Sequence, residues 1–101
     1  MSGAVKETIN YHESSIVSKE IFKSPSGSLS LFAFAKGQRL SEHQTPYQAF
    51  VLVLDGKAQI VVGGKRNSAS EGEMVPLPTN IPHSITATSN FKMLLIMLKS
   101  D

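Results

Sequence analysis

The sequence carries three histidines, His12, His43 and His83, and no cysteine. Imidazole gains and loses a proton near neutral pH, and it is also the commonest metal ligand in proteins. The lack of cysteine removes disulfides, thiolate metal sites and cysteine nucleophiles together. Chemistry in this chain therefore depends on imidazole, carboxylate, hydroxyl and amide groups.

Few carboxylates are placed to assist these imidazoles. Glu42 directly precedes His43, and consecutive residues of a strand point to opposite faces, so Glu42 is expected to face away from His43. Glu71 and Glu73 flank a turn glycine and are expected to be solvated. His12 lies in an N-terminal segment of uncertain position and is interpreted as an exposed histidine.

The stretch 37–56 resembles the first motif of the cupin superfamily, G-x5-H-x-H-x3/4-E-x6-G. Gly37, His43 and Gly56 match that motif at the correct spacing. Thr45 and Ala49 stand where the family has its second histidine and its glutamate.

The stretch 72–87 resembles the second cupin motif, G-x5-P-x-G-x2-H-x3-N. Gly72, Pro78 and His83 match, whereas Asn80 replaces a glycine and Ala87 replaces an asparagine. Asparagine tolerates a positive φ better than other non-glycine residues, so the turn at Asn80 is expected to survive. The gap 57–71 is like that of compact bacterial members.

The resemblance implies one cupin domain over residues 1–101, with an N-terminal strand segment at 1–35 and an all-β double-stranded β-helix, or jelly-roll, barrel. Cupin metal sites use two histidines and a carboxylate from the first motif and one histidine from the second. Only His43 and His83 remain here, so the implied metal set is incomplete. A divalent metal (iron, zinc, nickel or manganese) is the cofactor that the resemblance allows, and none is required.

The resemblance also implies that His43 and His83 converge inside the barrel, where they are the candidates for any catalytic role. Gln48 could add an amide oxygen if its strand bulges after Pro46, and Tyr47 could serve as a proton donor at the barrel rim. The small residues leave room for a ligand. The predicted ligand pocket is lined by His43, Thr45, Tyr47, Gln48, Ala49, His83 and Ala87.

Three functions follow from these residues. The first is a module that binds a small organic ligand in the barrel, without an assignable reaction. The second is an enzyme, either metal-dependent (oxygenase or isomerase type) or a metal-free acid/base isomerase. The third is a ligand-sensing dimer without chemistry. Loss of two of the four metal ligands favours the binding module, and fold alone does not decide between them.

The elements that must position these residues are short strands. Turn signals recur at short intervals along the chain, and the segments between them are rich in β-branched and aromatic residues, which indicates a sandwich or barrel. Asp55-Gly56 and Gly63-Gly64 predict two-residue hairpins. Strands are predicted near Ile16–Phe22, Ser28–Ala35, Gln38–Glu42, Gln48–Leu54, Lys57–Val62, Lys65–Ser68, Met74–Leu77, His83–Thr88 and Phe91–Lys99.

Two of the strands are apolar on both faces. In Ala49–Leu54 and Met93–Leu98 every residue is apolar, whereas a sandwich strand buries only one face within its own domain. The second face needs another cover, supplied either by local chain or by a second subunit. We expect a homodimer.

The composition argues against several kinds of partner and several cellular locations. The chain has 10 Lys+Arg and 8 Asp+Glu, a net charge of +2 without a basic arm, so a nucleic-acid partner is not indicated. The apolar runs are far shorter than the roughly 20 residues of a membrane span. No apolar signal-peptide region is visible near the N-terminus. We expect a cytoplasmic protein that binds neither nucleic acid nor membrane.

Overall fold

The computed structural model describes residues 3–99 and contains nine strands in two sheets. All nine predicted strands are confirmed. The strands are β1 (Ile16–Ser24), β2 (Gly27–Phe34), β3 (Arg39–His43), β4 (Gln48–Asp55), β5 (Lys57–Val62), β6 (Lys65–Ser70), β7 (Met74–Leu77), β8 (His83–Ala87) and β9 (Phe91–Leu98). A single turn of 3₁₀ helix, Val5–Thr8, precedes them.

The two sheets pack face to face as a jelly roll, so the predicted all-β barrel is confirmed. One sheet has the order β1-β2-β9-β4-β7 and the other has the order β3-β8-β5-β6. All neighbouring pairs are antiparallel. Among residues 3–99, no helix has the length and apolarity that crossing a membrane requires.

The core lies between the inner faces of the two sheets. Every second residue of β4 points into it, so Ala49, Val51 and Val53 are at most 1% exposed. Phe34 and Phe91 are fully buried and meet edge to face with ring centroids 5.3 Å apart. The alternation of period two in the sequence therefore determines which side chains fill the barrel.

One of the two predicted hairpins is confirmed and the other is wrong. Gly63 and Gly64 have φ values of 56° and 81° and connect β5 to β6 in a tight hairpin, as a type I′ turn requires. Asp55 and Gly56 instead carry the chain from one sheet to the other, because β4 pairs with β7 and β9 while β5 pairs with β6 and β8.

The outer face of the five-stranded sheet is partly covered by the N-terminal strap, which we define as residues 3–15. Ile9 is 4% exposed and packs with Leu31 and Ala33, which are fully buried. Leu54 and Leu94 contact the same cluster. Local chain thus covers one part of the second apolar face of β4 and β9, and the homodimer stays a prediction.

Candidate functional site

Two neighbouring strands bring His43 and His83 together. β3 and β8 are antiparallel, and His43 and His83 are register partners at the end of that pairing. Side chains of residues directly opposite each other lie on the same face and within contact distance. The two imidazoles, 40 residues apart in sequence, are therefore placed side by side by strand pairing.

A β-bulge in β3 decides that His43, rather than Glu42, lies opposite His83. Leu40 pairs with Ile85, and His43 pairs with His83, so three steps along β3 match two along β8. An extra residue of this kind lets side chains at an odd spacing share a face. Leu40 packs against the core, and without the bulge Glu42 would oppose His83 in place of His43.

The two rings meet at their Nε2 atoms. The distance from His43 Nε2 to His83 Nε2 is 3.1 Å, and the ring planes are inclined by 70°. His83 is 3% exposed, whereas His43 is exposed at the surface. The pair therefore connects solvent to the barrel interior, with one ring on each side of the boundary.

Backbone carbonyl groups hold both rings in orientation. His43 Nδ1 donates a hydrogen bond to the Ser41 carbonyl oxygen at 2.9 Å, and His83 Nδ1 lies 3.3 Å from the Ile81 carbonyl oxygen. A carbonyl oxygen only accepts hydrogen bonds, so each of these contacts requires a proton on Nδ1. The Nε2 atoms are then the groups available for proton transfer or for a ligand.

The three contacts of the pair call for three N–H protons, and a neutral pair holds two. In the neutral pair one of these three contacts is therefore left without a hydrogen bond. A pair with one additional proton satisfies all three contacts.

Burial lowers the pKa of His83, and the charge of the neighbouring His43 ring lowers it further. The Ile81 carbonyl opposes these effects and is the smallest of the three. His83 is thus held in its neutral form when His43 is protonated.

The donor set does not fit a resident catalytic metal. Catalytic zinc takes three protein ligands, and non-haem iron takes two histidines and a carboxylate. Within residues 3–99, no group of three or more histidine, aspartate or glutamate side chains is arranged to hold a metal ion. His43 and His83 supply two nitrogens, and Thr45 and Ala49 supply neither of the missing groups.

The other residues of the predicted pocket lie around the ends of β3 and β4. Thr45 lies beyond the end of β3, where its carbonyl oxygen accepts a hydrogen bond from Asn80 N at 2.8 Å. Gln48 Nε2 donates to the carbonyl oxygens of Ala49 and Leu77. The Tyr47 ring lies under the ammonium group of Lys99, 5.4 Å from the ring centroid.

Ala49 and Ala87 are each 1% exposed and belong to the packed apolar core. Two open cavities, of about 250 and 350 Å³, lie elsewhere on the surface and are not lined by His43 or His83. The ligand pocket remains a prediction.

The remaining candidate residues stay in solvent. His12 and Glu42 are exposed. Glu71 Oε1 lies 3.6 Å from the ammonium group of Lys6, and Glu73 accepts hydrogen bonds from the backbone and hydroxyl of Ser70, which lower the pKa of Glu73. Glu73 thus closes the turn between β6 and β7, and Glu71 contacts the N-terminal strap at the surface.

Sequence reasoning missed the two groups that orient the histidines. They are the backbone carbonyls of Ser41 and Ile81, each two residues before its histidine. No side-chain type marks a carbonyl acceptor. Asn80, by contrast, was identified from the motif, and its φ of 59° confirms the turn expected there.

Comparison with known proteins agrees with this fold. A family model described as cupin domain matches residues 30–98. No curated protein matches the chain. A cupin 2 conserved barrel domain protein from Leptotrichia buccalis is 42% identical with a TM-score of 0.91, and the match covers 94% of this chain but 46% of that one.

Two further solved structures are similar over most of both chains. A cupin superfamily protein from Desulfitobacterium hafniense is 26% identical, with a TM-score of 0.94 and coverage of 99% of this chain and 92% of the other. A conserved protein of unknown function from Streptococcus pyogenes is 28% identical, with a TM-score of 0.85 and coverage of 89% and 79%. Since the family model spans more than half of the sequence, this chain belongs to the cupin superfamily as a small cupin domain.

Proposed function

We propose that this cupin domain is a binding module for a small organic ligand, with the His43–His83 pair as its polar anchor. The observation that carries the proposal is the 3.1 Å approach of the two Nε2 atoms, with both rings oriented by backbone carbonyls. A small-molecule site needs only a few well-placed polar groups on an otherwise apolar wall.

The chemistry of the pair indicates what the ligand offers. When a ligand separates the two rings and both Nδ1 atoms carry protons, both Nε2 atoms become hydrogen-bond acceptors. A hydroxyl, amide or ammonium group of the ligand donates a hydrogen bond to these Nε2 atoms. A ligand that approaches from solvent meets the exposed His43 ring first and reaches the buried His83 by displacing it.

A metal-free acid/base isomerase is the second candidate, favoured by the same geometry. The proton between the two rings is positioned for transfer, and imidazole operates near neutral pH. No aspartate or glutamate among the hydrogen-bond partners of the His43 ring orients it for catalysis. The metal-dependent oxygenase or isomerase is supported by family membership alone, because the donor set holds two nitrogens.

The test combines metal analysis with imidazole NMR. Purified protein should contain well below one iron, zinc, nickel or manganese per chain. In ¹⁵N spectra, fragments that carry a hydroxyl or amide group should shift the signals of His43 and His83 and leave those of His12 unchanged. His43→Ala should abolish the response, and His12→Ala, which removes an exposed imidazole elsewhere, should preserve it.

Three results would contradict the proposal. About one metal per chain that is lost in His43→Ala would favour the metal-dependent enzyme. Fragment responses that persist in His43→Ala would show that the ligand binds elsewhere. Turnover of a bound fragment, abolished by His83→Gln as well as by His43→Ala, would favour the acid/base isomerase.

A further inference from the structure

The strand β6 forms an edge of the four-stranded sheet, because β5 is its only neighbour in the strand order. An edge strand directs alternate backbone groups toward its neighbour and away from it. The two-residue loop Gly63-Gly64 makes Val62 and Lys65 the hydrogen-bonded pair that closes the hairpin. Counted from that pair, the backbone groups of Arg66 and Ser68 point away from β5.

Ser70 supports this direction and marks the end of the open edge. Its N–H donates to Glu73 Oε1 at 2.7 Å, and its carbonyl oxygen accepts a hydrogen bond from Glu73 N at 3.0 Å. Arg66 and Ser68 are exposed, and within residues 3–99 no turn or loop bond reaches their backbone groups. Two N–H and two carbonyl groups in an extended segment are therefore available to a strand-like partner.

The other three edge strands of the two sheets are protected against strand addition. β1 and β3 each contain a bulge, and β7 has four residues and contains Pro76. Bulges, short length and proline all prevent pairing with another chain. β6, by contrast, pairs with β5 over six residues without a register shift and contains no proline.

The charge around β6 is positive. The chain has ten Lys and Arg residues and eight Asp and Glu residues, yet the four strands of this sheet carry four of the bases and one acid, Glu42. Glu42 lies on β3, three strands from β6 or about 14 Å at the usual strand spacing. Lys65 and Arg66 are exposed on β6 itself. The one ion pair among residues 3–99 joins Lys6 to Glu71, so neither cation of β6 is neutralised there.

We propose that β6 binds an extended peptide with acidic side chains, which adds to the sheet as a fifth strand. Backbone hydrogen bonds to Arg66 and Ser68 hold the peptide, and a carboxylate opposite Arg66 selects it. Only a polypeptide presents N–H donors and carbonyl acceptors at the spacing of a strand. The site lies two strands from β8 and is therefore separate from the His43–His83 pair.

Charge decides against a second copy of this chain as the occupant. Two β6 edges placed side by side would bring Lys65 and Arg66 of one copy next to those of the other, and like charges on paired strands are destabilising. The same cations that oppose self-pairing attract a strand with carboxylates. They thus protect the edge against aggregation and leave it open to an acidic partner.

The experiment measures fluorescence anisotropy of a labelled peptide, Glu-Val-Glu-Thr-Glu-Val, blocked at both ends, as the parent chain is added. One control peptide has Lys in place of each Glu. A second keeps the acidic sequence but is N-methylated at every residue, which preserves the charge and removes all backbone donors. The acidic peptide should bind at least about tenfold more tightly than either control.

A matched pair of charge reversals uses the two arginines of the chain. Arg66→Glu should raise the dissociation constant of the acidic peptide about tenfold, because it converts an attraction into a repulsion. Arg39→Glu makes the same change on β3, at the opposite edge of the sheet, where salt screens it from the peptide. Its effect should stay below about twofold.

Amide hydrogen exchange locates the site without any substitution. The N–H groups of Arg66 and Ser68 should become protected when the peptide binds, whereas those of Asn67 and Ala69, which face β5, are protected beforehand. Failure of the acidic peptide to bind the parent chain, or unchanged exchange at Arg66 and Ser68 on binding, overturns the proposal. Equal binding of the N-methylated peptide, tighter binding of a single-stranded oligonucleotide, or equal effects of the two charge reversals overturns it as well.

Discussion

Restoring the two lost cupin ligands, Thr45→His with Ala49→Glu, tests whether the four motif positions converge. Ala49 is 1% exposed in the core. A carboxylate in such a place costs several kcal/mol unless a partner neutralises it. Without metal, the double variant should therefore be less stable than the parent.

A metal that binds all four side chains reverses this loss. A ligand at 100 times its dissociation constant stabilises the folded state by about 2.7 kcal/mol. For a domain of this size each kcal/mol moves the midpoint of thermal unfolding by about 4–8 °C, so the expected rise is about 10–20 °C. The parent chain has only the imidazole nitrogens of His43 and His83 as metal ligands, so the midpoint of its thermal unfolding should change little when metal is added.

The assay is thermal unfolding in EDTA and in 100 µM zinc or manganese. The same double substitution in a His43→Ala background is the control, because it keeps the introduced groups and removes one original ligand. Its response to metal should be much smaller. If the folded double variant gains no more stability from metal than the parent does, positions 43, 45, 49 and 83 do not share one site.

Three further predictions concern stability. The pKa of His83 is lowered in the folded state, so on acidification the unfolded chain takes up a proton on His83 before the folded chain does. The free energy of unfolding should therefore fall as the pH drops below about 6.5. Urea midpoints measured between pH 8 and pH 5 should show this fall, and His83→Gln should make them less dependent on pH. Tyr11→Phe removes the 2.6 Å hydrogen bond from the Tyr11 hydroxyl to Asp55 Oδ2 and should cost about 1–2 kcal/mol in urea unfolding; an unchanged midpoint would mean that the strap is not held there. Gly56→Ala should cost about 3 kcal/mol or more, because Gly56 has a φ of +74° and an added methyl would collide with the Asn90 carbonyl oxygen. Gly64 has a φ of +81° but open space around it, so Gly64→Ala should cost only about 1–2 kcal/mol. Equal losses of stability in the two variants would contradict the steric argument.

Polar contacts hold the N-terminal strap against the apolar face of the sheet that it covers. Burial raises the pKa of Tyr11, and its hydrogen bond to Asp55 raises it further, so the hydroxyl keeps its proton and continues to donate. Lys92 adds two contacts, with its ammonium group 4.8 Å from the centroid of the Tyr11 ring and 2.7 Å from the Lys6 carbonyl oxygen. These interactions hold Ile9 over the sheet.

The sequence by itself determined the strands and the two residues of the candidate site. Alternation of period two and frequent turn residues predict each strand, because a strand buries every second side chain whatever its neighbours are. Gly63-Gly64 predicts its hairpin for an equally local reason, since both residues need a positive φ. His43 and His83 were identified by motif spacing.

Tertiary structure alone decided how these parts meet. Asp55-Gly56 has the residue types of a hairpin, yet it connects two sheets because β4 pairs with the distant strands β7 and β9. The bulge that brings His43 opposite His83 arises from the pairing of β3 with β8. The N-terminal strap covers part of the outer apolar face of the five-stranded sheet, for which the sequence did not identify a cover. Strand pairing and the cover of the outer face depend on contacts between residues far apart in the chain. No local sequence pattern contains the free energies of those contacts.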